Sequence, residues 1–314
     1  MKVIFMGTPD FAVGTLAALI DSKHQVTAVI TQPDKPKGRG KAVQFTPVKE
    51  VALKHDIPVY QPKRVRDKET IELLASISAD VIVVVAFGQI VPKEILEMKK
   101  YGCINVHASL LPKYRGAAPI QWAIIDGESE SGVTTMQMDE GLDTGDILQE
   151  AVVPLAVDET GGSLFDKLSE LGAGLLLQTL AAAQDGELKP RKQGDSPTPY
   201  AKMLKKEMGL IDWNQSALQI ERLIRGLCPW PSAYTYLDGK TLKIWQAEVL
   251  AENTKKAAGQ ISEIKKESIK VQTGEGVLKI KEVQLEGKKR MAVDSFLRGY
   301  QIKEETSLGK CGEY

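Results

Sequence analysis

The chain has 314 residues, 43% of them hydrophobic and 26% charged, with 41 basic and 41 acidic side chains. That composition supports two domains with separate cores and excludes a disordered or low-complexity polypeptide. The longest apolar stretch, residues 81–91, is about half of the roughly 20 residues a bilayer span needs, so no membrane segment is expected.

Only Val3 to Met6 are apolar before a Gly-Thr-Pro turn, too few for a secretory segment. Cys103, Cys228 and Cys311 are odd in number and widely spaced, which argues against a disulfide framework, a CxxC metal site or a redox site. A cytoplasmic location is expected. Residues 1–204 carry 22 Lys and Arg against 26 Asp and Glu, whereas residues 205–314 carry 19 against 15, so the net charges are −4 and +4. The basic C-terminal third is compatible with a polyanionic partner and equally with a solvated surface.

In chain order, Val3–Met6 reads as a strand, Gly7-Thr8-Pro9 as a turn and residues 11–20 as a helix. Further strands are expected at 25–31, 59–60 and 80–86, with helices at 48–55 and 68–77. Alternation of this kind predicts an α/β, Rossmann-like N-terminal domain with a mostly parallel sheet. The β-branched run at 81–85 fits a central strand buried on both faces. A helix at 119–126, strands at 132–138 and 147–153, and a helix N-capped by Ser163 and running to about Gln184 complete this part. The proline-rich residues 190–204 are expected as a linker between a domain at 1–189 and a second at 205–314. In the second, a helix at 216–226 precedes Gly-punctuated strands at 232–237, 242–250, 259–264, 268–272 and 276–286, which predict a smaller β-barrel of OB-like kind.

Neither glycine group near the N-terminus is a phosphate cradle. Gly7-Thr8-Pro9-Asp10 lacks the GxGxxG pattern, and Gly38-Arg39-Gly40-Lys41 lacks the P-loop spacer and its Ser or Thr. Of three histidines, His24 and His55 lie in connectors, whereas His107 ends the extended run Cys103-Ile104-Asn105-Val106-His107. Period-two alternation turns Asn105 and His107 to one side, a neutral donor beside a titratable group. Downstream, Gly141-Leu142-Asp143-Thr144-Gly145-Asp146 sets carboxylates in a glycine-bounded loop. Spacing alone makes a trio of Asn105, His107 and Asp143 possible and leaves open a plain surface turn at the acidic loop, a nicotinamide-dependent oxidoreductase and a non-catalytic RNA-binding protein. Cys103, in an apolar strand, reads as a packing residue rather than a nucleophile.

The run from Asn105 through Ser109-Leu110-Leu111-Pro112 to Arg115-Gly116-Ala117-Ala118-Pro119-Ile120 resembles the signature of 10-formyltetrahydrofolate-dependent formyltransferases. With Gly7 to Ala12, Met136 to Asp139, Gly141 to Asp146, Asp212-Trp213 and Pro229-Trp230-Pro231, the whole chain is similar to the methionyl-tRNA branch of that family. The resemblance implies direct formyl transfer through a tetrahedral intermediate, with Asn105, His107 and Asp143 catalytic and Ser109, Leu110, Leu111 and Pro112 lining the folate site. It implies 10-formyltetrahydrofolate as co-substrate, without metal or nucleotide cofactor, and initiator methionyl-tRNA as partner. Lys35, Lys37, Arg39 and Lys41, within residues 31–41, resemble the loop with which such enzymes hold the acceptor stem, and the basic C-terminal domain would add phosphate contacts. A monomer is expected.

Overall fold

The computed structural model describes residues 1–37, 42–304 and 306–309. Its first part runs β1 (Lys2–Gly7), α1 (Asp10–Ile20), β2 (Gln25–Ile30), β3 (Lys35–Lys37), β4 (Ala42–Gln44), α2 (Pro47–Lys54), β5 (Val59–Tyr60), α3 (Lys68–Ser76) and β6 (Val81–Val85). It continues through α4 (Lys93–Leu96), β7 (Cys103–His107), α5 (Pro119–Asp126), β8 (Glu130–Gln137), β9 (Ile147–Pro154) and α6 (Gly161–Asp185).

Seven strands form one sheet in the order β5-β2-β1-β6-β7-β8-β9. The first five are mutually parallel, and β8 and β9 extend the sheet antiparallel. All five residues of β6 are buried, as a β-branched strand covered on both faces should be. Ile4, Met6, Ile30, Ile82 and Val84 pack with Leu74 and Ile95 in one apolar cluster. The Gly7-Thr8-Pro9 turn is tied to its neighbours through Thr8, whose hydroxyl donates to the Phe87 carbonyl at 3.2 Å and accepts from the Gln32 amide at 3.3 Å.

Two local expectations need correction. Helix α6 begins before Ser163: Thr160 caps it, accepting the Ser163 amide at 3.1 Å, while Ser163 Oγ accepts the Thr160 amide at 3.0 Å. Residues 35–44 are not simply a loop, since β3 and β4 pair as an antiparallel hairpin around the undescribed 38–41.

The later part comprises α7 (Ala217–Gly226), β10 (Ala233–Leu237), β11 (Lys240–Leu250), β12 (Ile261–Lys265), β13 (Ser268–Gln272), β14 (Val277–Leu285), β15 (Met291–Ala292) and α8 (Val293–Gly299). Ser216 and Gln219 form a capping box that starts α7, and its buried Ala217, Ile220 and Ile224 make the apolar stripe that meets the sheet. The antiparallel path is β10-β11-β14-β13-β12, with β15 beside β14. Between the edge strands lies Thr306–Gly309. The Ile261 amide donates to Thr306, Leu308 donates to Gly259 and Gly309 donates to Tyr236. This short segment supplies backbone partners to both edges of the expected barrel.

The chain divides into two compact units that interleave in sequence: 1–119, 130–154 and 165–201 in one, 120–129, 155–164 and 202–314 in the other. Residues 190–201, expected as linker, therefore belong to the first unit. There the Arg191 backbone bridges Ile147, and Ala201 donates its amide to Arg115 and accepts from Ala117. Among the described residues, no helix is long and apolar enough to cross a membrane.

Candidate active site

Strand β7 carries Asn105 and His107 between β6 and β8, with Asn105 opposite Val84 and Met136, and His107 opposite Thr134. Asn105 is half-buried and, among the described residues, no hydrogen bond engages its side chain. His107 is only 7% exposed. Its Nε2 lies 3.0 Å from the Tyr114 carbonyl oxygen. A carbonyl only accepts, so Nε2 carries hydrogen and Nδ1 is the nitrogen left to exchange a proton.

Nδ1 faces Asp143. Its separation from Asp143 Oδ2 is 3.8 Å, an ion-pair distance when the imidazole is protonated and too long for a direct hydrogen bond. The same oxygen accepts the Gly116 amide at 2.8 Å. Asp143 adopts a left-handed backbone, φ 55°, within a loop that Asp139 organises by accepting the Gly141 amide at 3.0 Å and the Thr144 hydroxyl at 2.8 Å. At Gly145 a Cβ would collide with the Gln137 carbonyl, so the chain can pass there only without a side chain. The structure thus brings His107 and Asp143 together, on elements that both border β8.

The 108–118 segment is braced from beneath. Thr134 Oγ1 donates to the Ser109 carbonyl at 2.7 Å and accepts the Leu111 amide at 3.1 Å, while Ser109 Oγ donates to the Lys113 carbonyl at 2.7 Å. Ser109 and Leu111 are consequently buried, and Leu111 packs with Met136 and Ile147. Leu110 and Pro112 keep part of their surface. Of the four residues expected to line the folate site, two can offer contact area and two hold the loop in place.

Of the acceptor-loop residues, Lys35 is exposed, Lys37 ends β3, and Arg39 and Lys41 lie outside the described residues. The base of this hairpin is fastened by Lys49, which donates to Asp34 and, at 2.7 Å, to Gln61 Oε1. Hydrogen bonding from Lys49 holds the Asp34 carboxyl below the usual carboxylate range in spite of its desolvation. Cys103 is fully buried, which pushes its thiol up to about 12, and its Sγ donates to the Ile95 carbonyl at 3.5 Å. It is a packing residue. Among the described residues, no cluster of His, Cys, Asp and Glu could hold a metal ion.

The Formyl transferase family model matches residues 1–180, and the Formyl transferase, C-terminal domain model matches residues 203–301. The chain belongs to the formyl transferase family. A methionyl-tRNA formyltransferase of Agathobacter rectalis is 58% identical over 97% of this chain and 98% of its own length. That of Lachnospira eligens is 58% identical over 99% and 100%. Among solved structures, the sugar 3N-formyl transferase WlaRD superposes with TM-score 0.67 at 20% identity, covering 92% of this chain and 99% of that one. HypX from Aquifex aeolicus, solved with tetrahydrofolic acid, gives TM-score 0.62 at 18% identity over 98% and 50%. These two likenesses concern the fold.

For a formyl transferase, sequence reasoning left out several neighbours of the reacting groups. Tyr114, φ 56°, turns its carbonyl to His107, and its amide donates to Thr198 Oγ1 at 2.8 Å. Gln89 follows β6 at the C-terminal edge of the sheet. Its Oε1 accepts the Val65 amide at 2.7 Å, and its Nε2 is buried with no partner among the described residues. Nearby Ile90 is 85% exposed and, beyond β8, Leu142 is 58% exposed. Exposed apolar surface of this kind suits a flat heteroaromatic co-substrate such as a folate. An apolar run that ends in Gly88-Gln89-Ile90 at a sheet's C-terminal edge was the signal available.

Proposed function

We propose that the chain transfers the formyl group of 10-formyltetrahydrofolate to the free amino group of initiator methionyl-tRNA, giving N-formylmethionyl-tRNA for translation initiation. The near full-length identity of 58% to two methionyl-tRNA formyltransferases carries this reading. Asn105, His107 and Asp143 are the catalytic trio. Attack of the amine on the formyl carbon builds negative charge on the formyl oxygen, and the unengaged Asn105 amide is available to receive it. His107 Nδ1 is the proton-exchanging atom, Tyr114 fixes the ring through Nε2, and Asp143 sets the field at Nδ1. Leu110 and Pro112 touch the co-substrate, while Ser109 and Leu111 support them from behind.

The unit formed by residues 1–119, 130–154 and 165–201 carries the catalytic trio, and residues 205–314 provide a basic surface for tRNA phosphates. The acceptor stem is gripped by Lys35, Lys37, Arg39 and Lys41. The enzyme works as a monomer in the cytoplasm, where charged initiator tRNA is made and used. The test is formyl transfer from 10-formyltetrahydrofolate to methionyl-tRNA beside amino sugars and small amines. Turnover on methionyl-tRNA is expected, and turnover on a small amine alone would overturn the acceptor assignment.

A further inference from the structure

The side chain of Gln193 spans two parts of the first unit. Its Nε2 donates to the carbonyl oxygens of Asp143, at 3.0 Å, and Gly145, at 2.7 Å. Its Oε1 accepts from Arg115 Nε at 3.0 Å and Nη2 at 2.8 Å. Arg115 Nη2 also donates to the Gly194 carbonyl at 2.9 Å. The amide orientation is forced by its partners. A guanidinium only donates and a carbonyl only accepts, so exchanging O and N would set donor against donor and acceptor against two acceptors.

We infer that Gln193 is a positioning residue for formyl transfer: it fixes the backbone of Asp143, and through it the carboxylate that faces His107, to the Arg115-Gly116 turn. The two ends of the arrangement converge on one residue. Gln193 holds the Asp143 carbonyl, while Gly116, adjacent to Arg115, donates its amide to Asp143 Oδ2 at 2.8 Å. Main chain and side chain of Asp143 are thereby fastened to the same short segment from opposite ends. A left-handed φ of 55° at a non-glycine residue is disfavoured by itself, so the Asp143 conformation depends on such external bonds. The 3.8 Å gap to His107 Nδ1 has no direct hydrogen bond to correct it. Its length is set by where the loop is held.

The inference rests on the reading of Asp143 as catalytic, and the experiment separates the two. Steady-state kinetics with methionyl-tRNA and 10-formyltetrahydrofolate are compared for the native protein, Gln193→Leu, Gln193→Glu and Asp143→Ala, with melting temperatures to confirm folding. Gln193→Glu keeps an acceptor for Arg115 and removes both hydrogens given to the carbonyls. Turnover is expected to fall about tenfold to a hundredfold in both Gln193 variants, as displacement by a fraction of an ångström costs, with KM for either substrate within about twofold of native.

A pH readout distinguishes positioning from bulk. The carboxyl introduced by Gln193→Glu regains one O–H donor when protonated, so its turnover relative to native should recover as pH falls, whereas that of Gln193→Leu should not. Native turnover in folded Gln193→Glu, with turnover of Asp143→Ala sharply lowered, would overturn the positioning role and leave the trio standing. A raised KM for tRNA at unchanged turnover would also overturn it, making this segment an acceptor contact. Native turnover in Asp143→Ala would overturn the trio and, with it, this inference.

Discussion

His107 and Tyr114 are joined by a 3.0 Å hydrogen bond that commits the imidazole Nε2 to a backbone carbonyl and leaves Nδ1 as the working nitrogen. The two ring positions can be separated by substitution, because a glutamine amide nitrogen overlays Nε2 and an asparagine amide nitrogen overlays Nδ1. His107→Gln should keep the bond to Tyr114 and His107→Asn should keep a donor towards Asp143. Turnover should fall in both, and His107→Asn should retain the larger residue of activity. The reverse order in single-turnover measurements would assign the chemistry to Nε2.

Asn105→Ala and Asp143→Ala should each lower kcat by about 10²- to 10³-fold, as loss of one transition-state donor or its orienting group does, with folate affinity within a few-fold of native. Equilibrium binding of the co-substrate beside presteady-state transfer is the appropriate pair of measurements. A matching loss of affinity would make these residues ground-state contacts.

The Asp34–Lys49 pair should add a pH-dependent increment of stability. Its carboxyl is held below the ordinary range, so the increment is complete above the unfolded-state value of about 4 and is lost as pH falls through the lower folded value. Asp34→Asn should therefore reduce the melting temperature by a few degrees at neutral pH, with the difference from native shrinking below about pH 4. A difference that is constant with pH would remove the ion pair from the account. Because the pair fastens the base of the β3–β4 hairpin, the same variant should raise KM for tRNA more than it changes kcat.

Cys103, with its thiol pushed up to about 12, should resist alkylation at pH 8 in the folded protein and react only on unfolding. Cys103→Ala should keep native turnover and cost about 1 kcal/mol from lost packing. Loss of activity in a folded Cys103→Ala protein would point to a covalent route.

Much of this was legible beforehand for physical reasons. The run Val81–Val85 can be satisfied only by burial on both faces, and the structure makes it the fourth of seven strands. The 216–226 helix declares its start through Ser216 and Gln219, three residues apart, which satisfy each other's amides. The β3–β4 hairpin was not legible, because Pro36 and the surrounding glycines carry no alternating pattern. Asn105 and His107 could be placed on one side of a strand by period alone, but nothing local tells which ring nitrogen works. That depends on a carbonyl turned by Tyr114. Gln193 was hidden more completely. Its partners include a backbone carbonyl 50 residues away, and a backbone carbonyl leaves no mark in an amino-acid sequence.

The interleaving of the two units has a consequence in time. Gly226 of α7 packs so closely on Ile125 that even a Cβ would crowd it, and the Arg225 guanidinium donates to the Glu159 carbonyl at 2.8 Å. Residues 120–129 and 155–164 thus leave the ribosome well before the end of the helix that meets them. At elongation rates of about 5–20 residues per second that interval is on the order of ten seconds for the earlier excursion. For that period Ile125 and the Glu159 carbonyl have been synthesised and the α7 residues they meet have not, so this is a stretch of synthesis in which a chaperone or a premature contact can act upon them.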